Sequence, residues 1–167
     1  MIIVYTGNGK GKTSASVGQA IRALGNGIPL CFVQFMKSDV QAGEQIFLQQ
    51  LLQDNLYIGG KGFFRKEEER PKHREAVLAC LKWIETKKEL FSMLVCDEIL
   101  YAYHAKLISK EEIENLISFC RANKKHLVLS GRYAPDWLME QADIVSEIQE
   151  IKHACSKGVP AQKGIEF

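Results

Sequence analysis

The sequence predicts an α/β fold: a three-layer domain with a mainly parallel sheet of five to six strands and helices on both faces. Three observations predict it. Strand-like and helix-like segments alternate along the chain, which implies right-handed crossovers between parallel neighbours. The strand-like runs are short and continuously apolar, as strands covered on both faces are. Polar and glycine-rich stretches follow the carboxyl ends of those runs, where such sheets bind ligands. At 167 residues the chain reads as a single domain, 1–167, able to bury roughly 70% of its unfolded surface.

In order, Ile2 to Tyr5 is the first strand, and the segment Tyr5 to Ser14 is a glycine-rich, lysine-bearing turn. Val17, Ala20, Ile21 and Leu24 then fall on one face of a helix that Asn26-Gly27 stops. Leu30 to Phe35 is the second strand; a polar loop through Gly43 leads to a helix over Glu44 to Gln53. Leu56 to Ile58 is a short third strand, followed by Gly59-Gly60-Lys61-Gly62. The next helix carries Val77, Cys80, Leu81 and Ile84 on one face, and Met93 to Cys96 is a strand ending at Asp97-Glu98. Ser109 with Glu112 forms a capping box ahead of Ile113, Leu116, Ile117 and Cys120. His126 to Ser130 is a strand, Gly131-Arg132-Tyr133 a turn, Pro135 a helix start, and Asp143 to Ile148 the last strand. Glu150 to Phe167 has little periodicity, and pattern alone does not fold it.

Composition excludes several classes. Apolar residues at 46% and charged residues at 25% are ordinary for a globular chain. A net charge of +2 gives no general attraction to nucleic acid or anionic membrane. The alternating charges of Arg65 to Arg74 read as a solvated loop and helix start. Cys31, Cys80, Cys96, Cys120 and Cys155 show no paired spacing; the first four sit in apolar strands or helix faces, as buried reduced thiols do. With no basic leader and no run of membrane-spanning length, the expected location is the cytoplasm.

The turn Thr6-Gly7-Asn8-Gly9-Lys10-Gly11-Lys12-Thr13-Ser14 is built to hold a polyphosphate. Its glycines let successive N–H groups point inward as an anion-binding nest, and the helix that follows adds its positive end. Lys12 reaches phosphate oxygens, and the Thr13 hydroxyl is placed for a magnesium ion. This makes the domain P-loop NTPase-like, with Thr6 standing where the strict pattern has glycine. Beyond the other strand ends lie Lys37 with Glu44, Asp97-Glu98, and Arg132. Asp97 and Glu98 either organise the metal or, for Asp97, cap the next helix. Arg132 either contacts phosphate or faces solvent. Phe63 and Phe64, after three glycines, either pack back on the domain or cover an apolar ligand.

These residues resemble the ATP:corrinoid adenosyltransferases of the bacterial cobalamin pathway, over practically the whole chain. The resemblance rests on residues 6–13, Arg22-Ala23-Leu24-Gly25, Val33-Gln34-Phe35-Met36-Lys37, Gly43-Glu44, Gly62-Phe63, Asp97-Glu98 and Gly131-Arg132. It extends through Ala142-Asp143, Glu147, Lys152-His153 and the tail Ala161-Gln162-Lys163-Gly164-Ile165-Glu166-Phe167. The family also has threonine at the place of Thr6. The resemblance implies transfer of the 5′-deoxyadenosyl group of ATP to the Co(I) centre of a corrinoid, with release of triphosphate. It implies ATP contacts at Gly7, Asn8, Gly9, Lys10, Gly11, Lys12, Thr13, Ser14, Arg22 and Arg132, with Lys12, Thr13 and Glu98 catalytic. Mg²⁺ (or Mn²⁺) would be held by Thr13, Asp97 and Glu98. It further implies a homodimer and a flavoprotein or flavodoxin-type reductant.

Two departures stand out. Members commonly carry Phe and Trp two residues apart as an apolar wall below the corrinoid; here Phe63 is kept, but Arg65 occupies the Trp position and Phe64 stands between. Many members also carry an N-terminal extension ahead of the first strand. The corrinoid contacts are therefore assigned to Phe63, Phe64 and Arg65 as the matching positions. Two other readings use the same residues: a nucleotide- and corrinoid-binding protein without transfer activity, and a small P-loop NTPase or kinase.

Overall fold

In a computed structural model, which describes residues 1–38 and 42–166, the chain forms one six-stranded parallel sheet. Residues 39–41 of the expected polar loop and Phe167 of the tail lie outside the described residues. The strands are β1 (Ile2–Thr6), β2 (Leu30–Gln34), β3 (Leu56–Ile58), β4 (Met93–Asp97), β5 (His126–Ser130) and β6 (Ile144–Glu147). They lie in the order β3-β2-β4-β5-β1-β6, and every pair runs parallel. The helices are α1 (Lys12–Gly25), α2 (Gly43–Leu52), α3 (Arg70–Lys87), α4 (Ile99–His104), α5 (Lys110–Ala122) and α6 (Asp136–Gln141).

The period of two along each strand divides the apolar residues between two cores. Ile3, Leu30, Phe32, Met93, Val95 and Val128 pack with Ala20 and Ala23 of α1 and Leu48 and Leu52 of α2. Ile2, Val4, Cys31, Val33, Leu94, Cys96, Leu127 and Leu129 face the other way, onto α3, α4 and α5. Covering both faces is what makes these strands read as unbroken apolar runs. Burying a side chain such as Phe32 or Leu94 contributes about 1.5–3 kcal/mol. Cys31, Cys80, Cys96 and Cys120 are buried and free, as their neighbours in sequence suggest, whereas Cys155 is exposed.

Several expected boundaries hold closely. The Ser109 capping box is present in both directions: the Ser109 hydroxyl accepts Glu112 N–H at 3.2 Å, and Glu112 accepts Ser109 N–H at 2.8 Å. Pro135 is the residue capping α6 rather than its first turn. One face is misplaced by the periodicity. On α1 the deeply buried side chains are Lys12, Ser16, Ala20 and Ala23, while Ile21 is 46% exposed. Small residues face the sheet because the helix that follows the phosphate loop lies close on β1, β2, β4 and β5. Ile21 is thereby turned out towards a cavity. No helix among the described residues is long and apolar enough to cross a membrane.

Candidate active site

The carboxyl ends of β1, β2, β4 and β5 deliver Thr6, Gln34, Asp97 and Ser130 to one edge of the sheet. From Thr6 the chain turns through Gly7 (φ +100°) and Gly11 (φ +129°) straight into α1. Such angles suit glycine and strain other residues. No side chain caps α1 and no acid lies in its first turn, so its positive end is left for a ligand. Lys12, only 6% exposed, curls back to donate to the Gly9 carbonyl at 2.8 Å. Burial pushes its ammonium below the ordinary lysine range, and Arg132 adds to this; Glu98 and Asp97 oppose it. A phosphate there would meet a lysine already desolvated and positioned.

Asp97 is fully buried and is the hub of the site. Its Oδ1 accepts the Ser130 hydroxyl at 2.6 Å, and Oδ2 accepts Gln34 Nε2 at 3.1 Å. The Thr13 hydroxyl lies 3.2 Å from each oxygen, and Lys37 Nζ lies 3.7 Å from Oδ2. Gln34 is itself oriented by Gln45 of α2, whose Nε2 donates to Gln34 Oε1 at 2.7 Å. Asp97 therefore does not cap α4. The cap position belongs to Glu98, held in the left-handed region (φ 61°) with its N–H on the Ser130 hydroxyl at 3.2 Å. Burial raises the Glu98 carboxyl above the ordinary range, reinforced by Asp97 and opposed by Lys12, Lys37 and Arg132.

These groups open on a cavity of about 1010 Å³. Its walls include residues 8–14 of the phosphate loop, Lys37 with Glu44 (2.6 Å apart), Glu98 and Arg132. Val17, Gly18 and Ile21 of α1 form an apolar side, and Phe63, Tyr101 and Tyr133 another. The tail adds His153, Gly164, Ile165 and Glu166 to the lining.

Of the sequence-expected residues, Asn8 to Ser14, Glu98, Arg132 and Phe63 thus share one cavity. Phe63 is 72% exposed, with its ring set edge-on to Tyr101 at 6.2 Å. Phe64 instead packs back: its ring meets His73 at 5.5 Å and carries the Arg70 guanidinium at 4.8 Å. Of the aromatic pair, Phe64 packs back on the domain, while Phe63 stands exposed at the cavity. Arg65 is exposed and does not line the cavity, so it forms no wall there. Arg22 is exposed on α1, next to the lining residue Ile21 and one turn beyond Gly18, and is not itself part of the lining. Not every amide of the phosphate loop is free, contrary to the simple nest: Gly9 N–H donates to Ile148 O at 2.8 Å.

Sequence reasoning gave Gln34, Gln45 and Ser130 no site role and left the place of the tail open. A signal existed for the first and third. Each is a polar residue closing an otherwise apolar strand, at the sheet end where ligands sit. The tail offered no periodicity, only the family resemblance of residues 152–153 and 161–167, because it has a single short 3₁₀ turn, Ala154–Lys157, and otherwise irregular backbone after β6.

The donor set suits a hard cation that also binds phosphate. Among the described residues no three His, Cys, Asp or Glu side chains converge on one point. Mg²⁺ needs less than that, since it takes one or two protein oxygens and completes its shell with phosphate and water. The Thr13 hydroxyl beside the buried Asp97 carboxylate, with Glu98 adjoining, meets that requirement.

The profile of the family described as ATP:corrinoid adenosyltransferase BtuR/CobO/CobP matches residues 1–167. A "Corrinoid adenosyltransferase" of Sinorhizobium sp is 36% identical over the whole of this chain and 80% of its own length. "Corrinoid adenosyltransferase CobA" of Salmonella typhimurium is 33% identical, over the whole of this chain and 85% of its own. Among solved structures, the flagellar accessory protein FlaH from Methanocaldococcus jannaschii superposes with a TM-score of 0.51 at 17% identity. That match covers 87% of this chain and 69% of FlaH and speaks for the three-layer fold alone.

Proposed function

The chain belongs to the ATP:corrinoid adenosyltransferase family, and from this premise we propose that it transfers the 5′-deoxyadenosyl group of ATP to the Co(I) centre of a corrinoid. The observation that carries the reading is the shared cavity. Phosphate loop, the acid Glu98 at the end of β4, an exposed aromatic ring and the tail all face it, and its size accommodates a nucleotide with part of a second substrate.

Co(I) supplies an electron pair to the ribose C5′ carbon. A cobalt–carbon bond forms, the C5′–O bond breaks, and its electrons leave with triphosphate. No hydroxyl or water is activated, so the protein needs no general base. Its work is to hold the leaving group and line up two substrates. Amides of the loop, the first turn of α1, Lys10, Lys12 and Arg132 serve the triphosphate, and Thr13, Asp97 and Glu98 serve Mg²⁺. Bound there, the cation would supply positive charge to oxygens that gain negative charge as the bond breaks. Phe63, presented to the cavity by a glycine-rich segment, serves the corrinoid face, with Tyr101 behind it. The reading includes a cytoplasmic homodimer served by a flavodoxin-type reductant.

The test is an anaerobic reaction with ATP, Mg²⁺ and chemically generated cob(I)alamin, followed by its visible spectrum and by identifying the phosphate product. One cobalt–carbon product per intact triphosphate is expected. Orthophosphate or ADP would point to an NTPase or kinase. Nucleotide and corrinoid binding without turnover would point to a binding protein.

A further inference from the structure

The phosphate loop spends one of its own donors on the tail. Gly9 N–H, a member of the nest, is bonded to Ile148 O at 2.8 Å. The two backbones touch: a Cβ on Gly9 would lie 2.6 Å from Gln149 O, and one on Gly7 would fall on Ile148 O. Past this contact the chain turns back, and His153 enters the wall of the cavity that Lys10, Lys12 and Arg132 also line.

The imidazole is held from behind. Its Nδ1 accepts Cys155 N–H at 3.1 Å, and the His153 carbonyl accepts the Ser156 hydroxyl at 2.6 Å. A neutral ring that accepts at Nδ1 carries its proton on Nε2. That N–H has no partner among the described residues. The surrounding cations are partly engaged, Lys12 with Gly9 O and Lys37 with Glu44. The Nε2 N–H of His153 is a further donor at the same cavity, beside Lys10 and Arg132.

We infer that His153 is a ligand of the triphosphate, donating from Nε2 on the tail side in place of the amide that Gly9 gives to Ile148. The inference rests on the adenosyltransferase reading and adds to it a substrate contact outside the phosphate loop. It also gives the tail a purpose: the segment that takes an amide from the loop returns a donor to the same ligand.

Three variants of the full chain separate the donor from the turn that holds it. His153→Asn keeps an acceptor for Cys155 N–H but lacks the distal donor. His153→Gln offers an amide N–H near the position of Nε2, and His153→Ala removes both. Calorimetric titration with inorganic tripolyphosphate and with ATP, in Mg²⁺, is expected to show about tenfold or greater weakening in Asn and Ala. His153→Gln is expected to retain affinity within about threefold, and the ligand-free melting temperatures of Asn and wild type to agree. Asn binding tripolyphosphate as tightly as wild type, or Gln as weak as Ala, would overturn the inference while leaving the enzyme reading intact. A wild-type chain that binds neither ligand would overturn both.

Discussion

The Thr13 hydroxyl and the Asp97 carboxylate, 84 residues apart in sequence, lie 3.2 Å from each other through both carboxylate oxygens. This contact joins the first turn of α1 to the end of β4. It engages the same two groups that the proposed Mg²⁺ site would use. Asp97→Asn is expected to cost about 1.5–3 kcal/mol of stability, because its amide would face the Ser130, Gln34 and Thr13 donors. Urea unfolding in the absence of Mg²⁺ checks the figure. An unchanged midpoint would mean that the hub contributes no net stability.

Lys12→Met should separate stability from binding. The ammonium is desolvated in the free protein, so its removal is expected to leave the melting temperature unchanged or slightly raised, with ATP affinity down at least a hundredfold. Calorimetry and a thermal melt on the same sample decide it. Parallel losses in both would mean that Lys12 is chiefly a structural residue.

Phe63 and Phe64 should behave as opposites despite adjacency. Phe63→Ala removes an exposed ring and is expected to spare both stability and ATP affinity while slowing adenosylation by an order of magnitude. Phe64→Ala removes the ring packed on His73 and Arg70 and is expected to cost about 1–2 kcal/mol with little kinetic effect. A denaturation midpoint and an initial rate for each variant are sufficient.

Thiol chemistry offers a pH test. Burial raises Cys31 and Cys120 to about 11 and Cys80 to about 12, and it also pushes the Cys96 thiol well above its ordinary range. Because thiolate is the reactive form, one thiol per folded chain, Cys155, is expected to react with an aromatic disulfide at pH 8, and five after denaturation. A folded pKa above the unfolded one stabilises fully below the unfolded value. That contribution should therefore fade as pH climbs from about 9 towards 11–12. Rapid labelling of more than one thiol at pH 8 would contradict the burial.

Which parts could be seen beforehand follows from how far apart the deciding contacts lie. The strand ends, the glycine turn and the Ser109 box are local, and each is legible from a handful of neighbours. The Phe63–Phe64 split is not, since it depends on where α3 and α4 bring His73 and Tyr101. The Gln45–Gln34–Asp97 chain spans three elements, and its glutamines resemble any surface pair until β2 is seen to be buried on both sides. On α1 the period was right, but the buried face was shifted by the close approach that small residues allow.

β1 precedes the other five strands of the sheet in sequence and is sandwiched between the last two, with Ile3 opposite both Val128 and Ile144. On the ribosome its partners do not exist until residues beyond 126 have been added, on the order of ten seconds after it emerges at the slower elongation rates. The glycine loop attached to it cannot take its final curvature before Ile148 arrives to fix Gly9. Nucleotide capture thus waits until the chain has grown past Ile148, and until then an apolar strand stands unpaired, a period in which chaperone contact at Ile2–Tyr5 is to be expected.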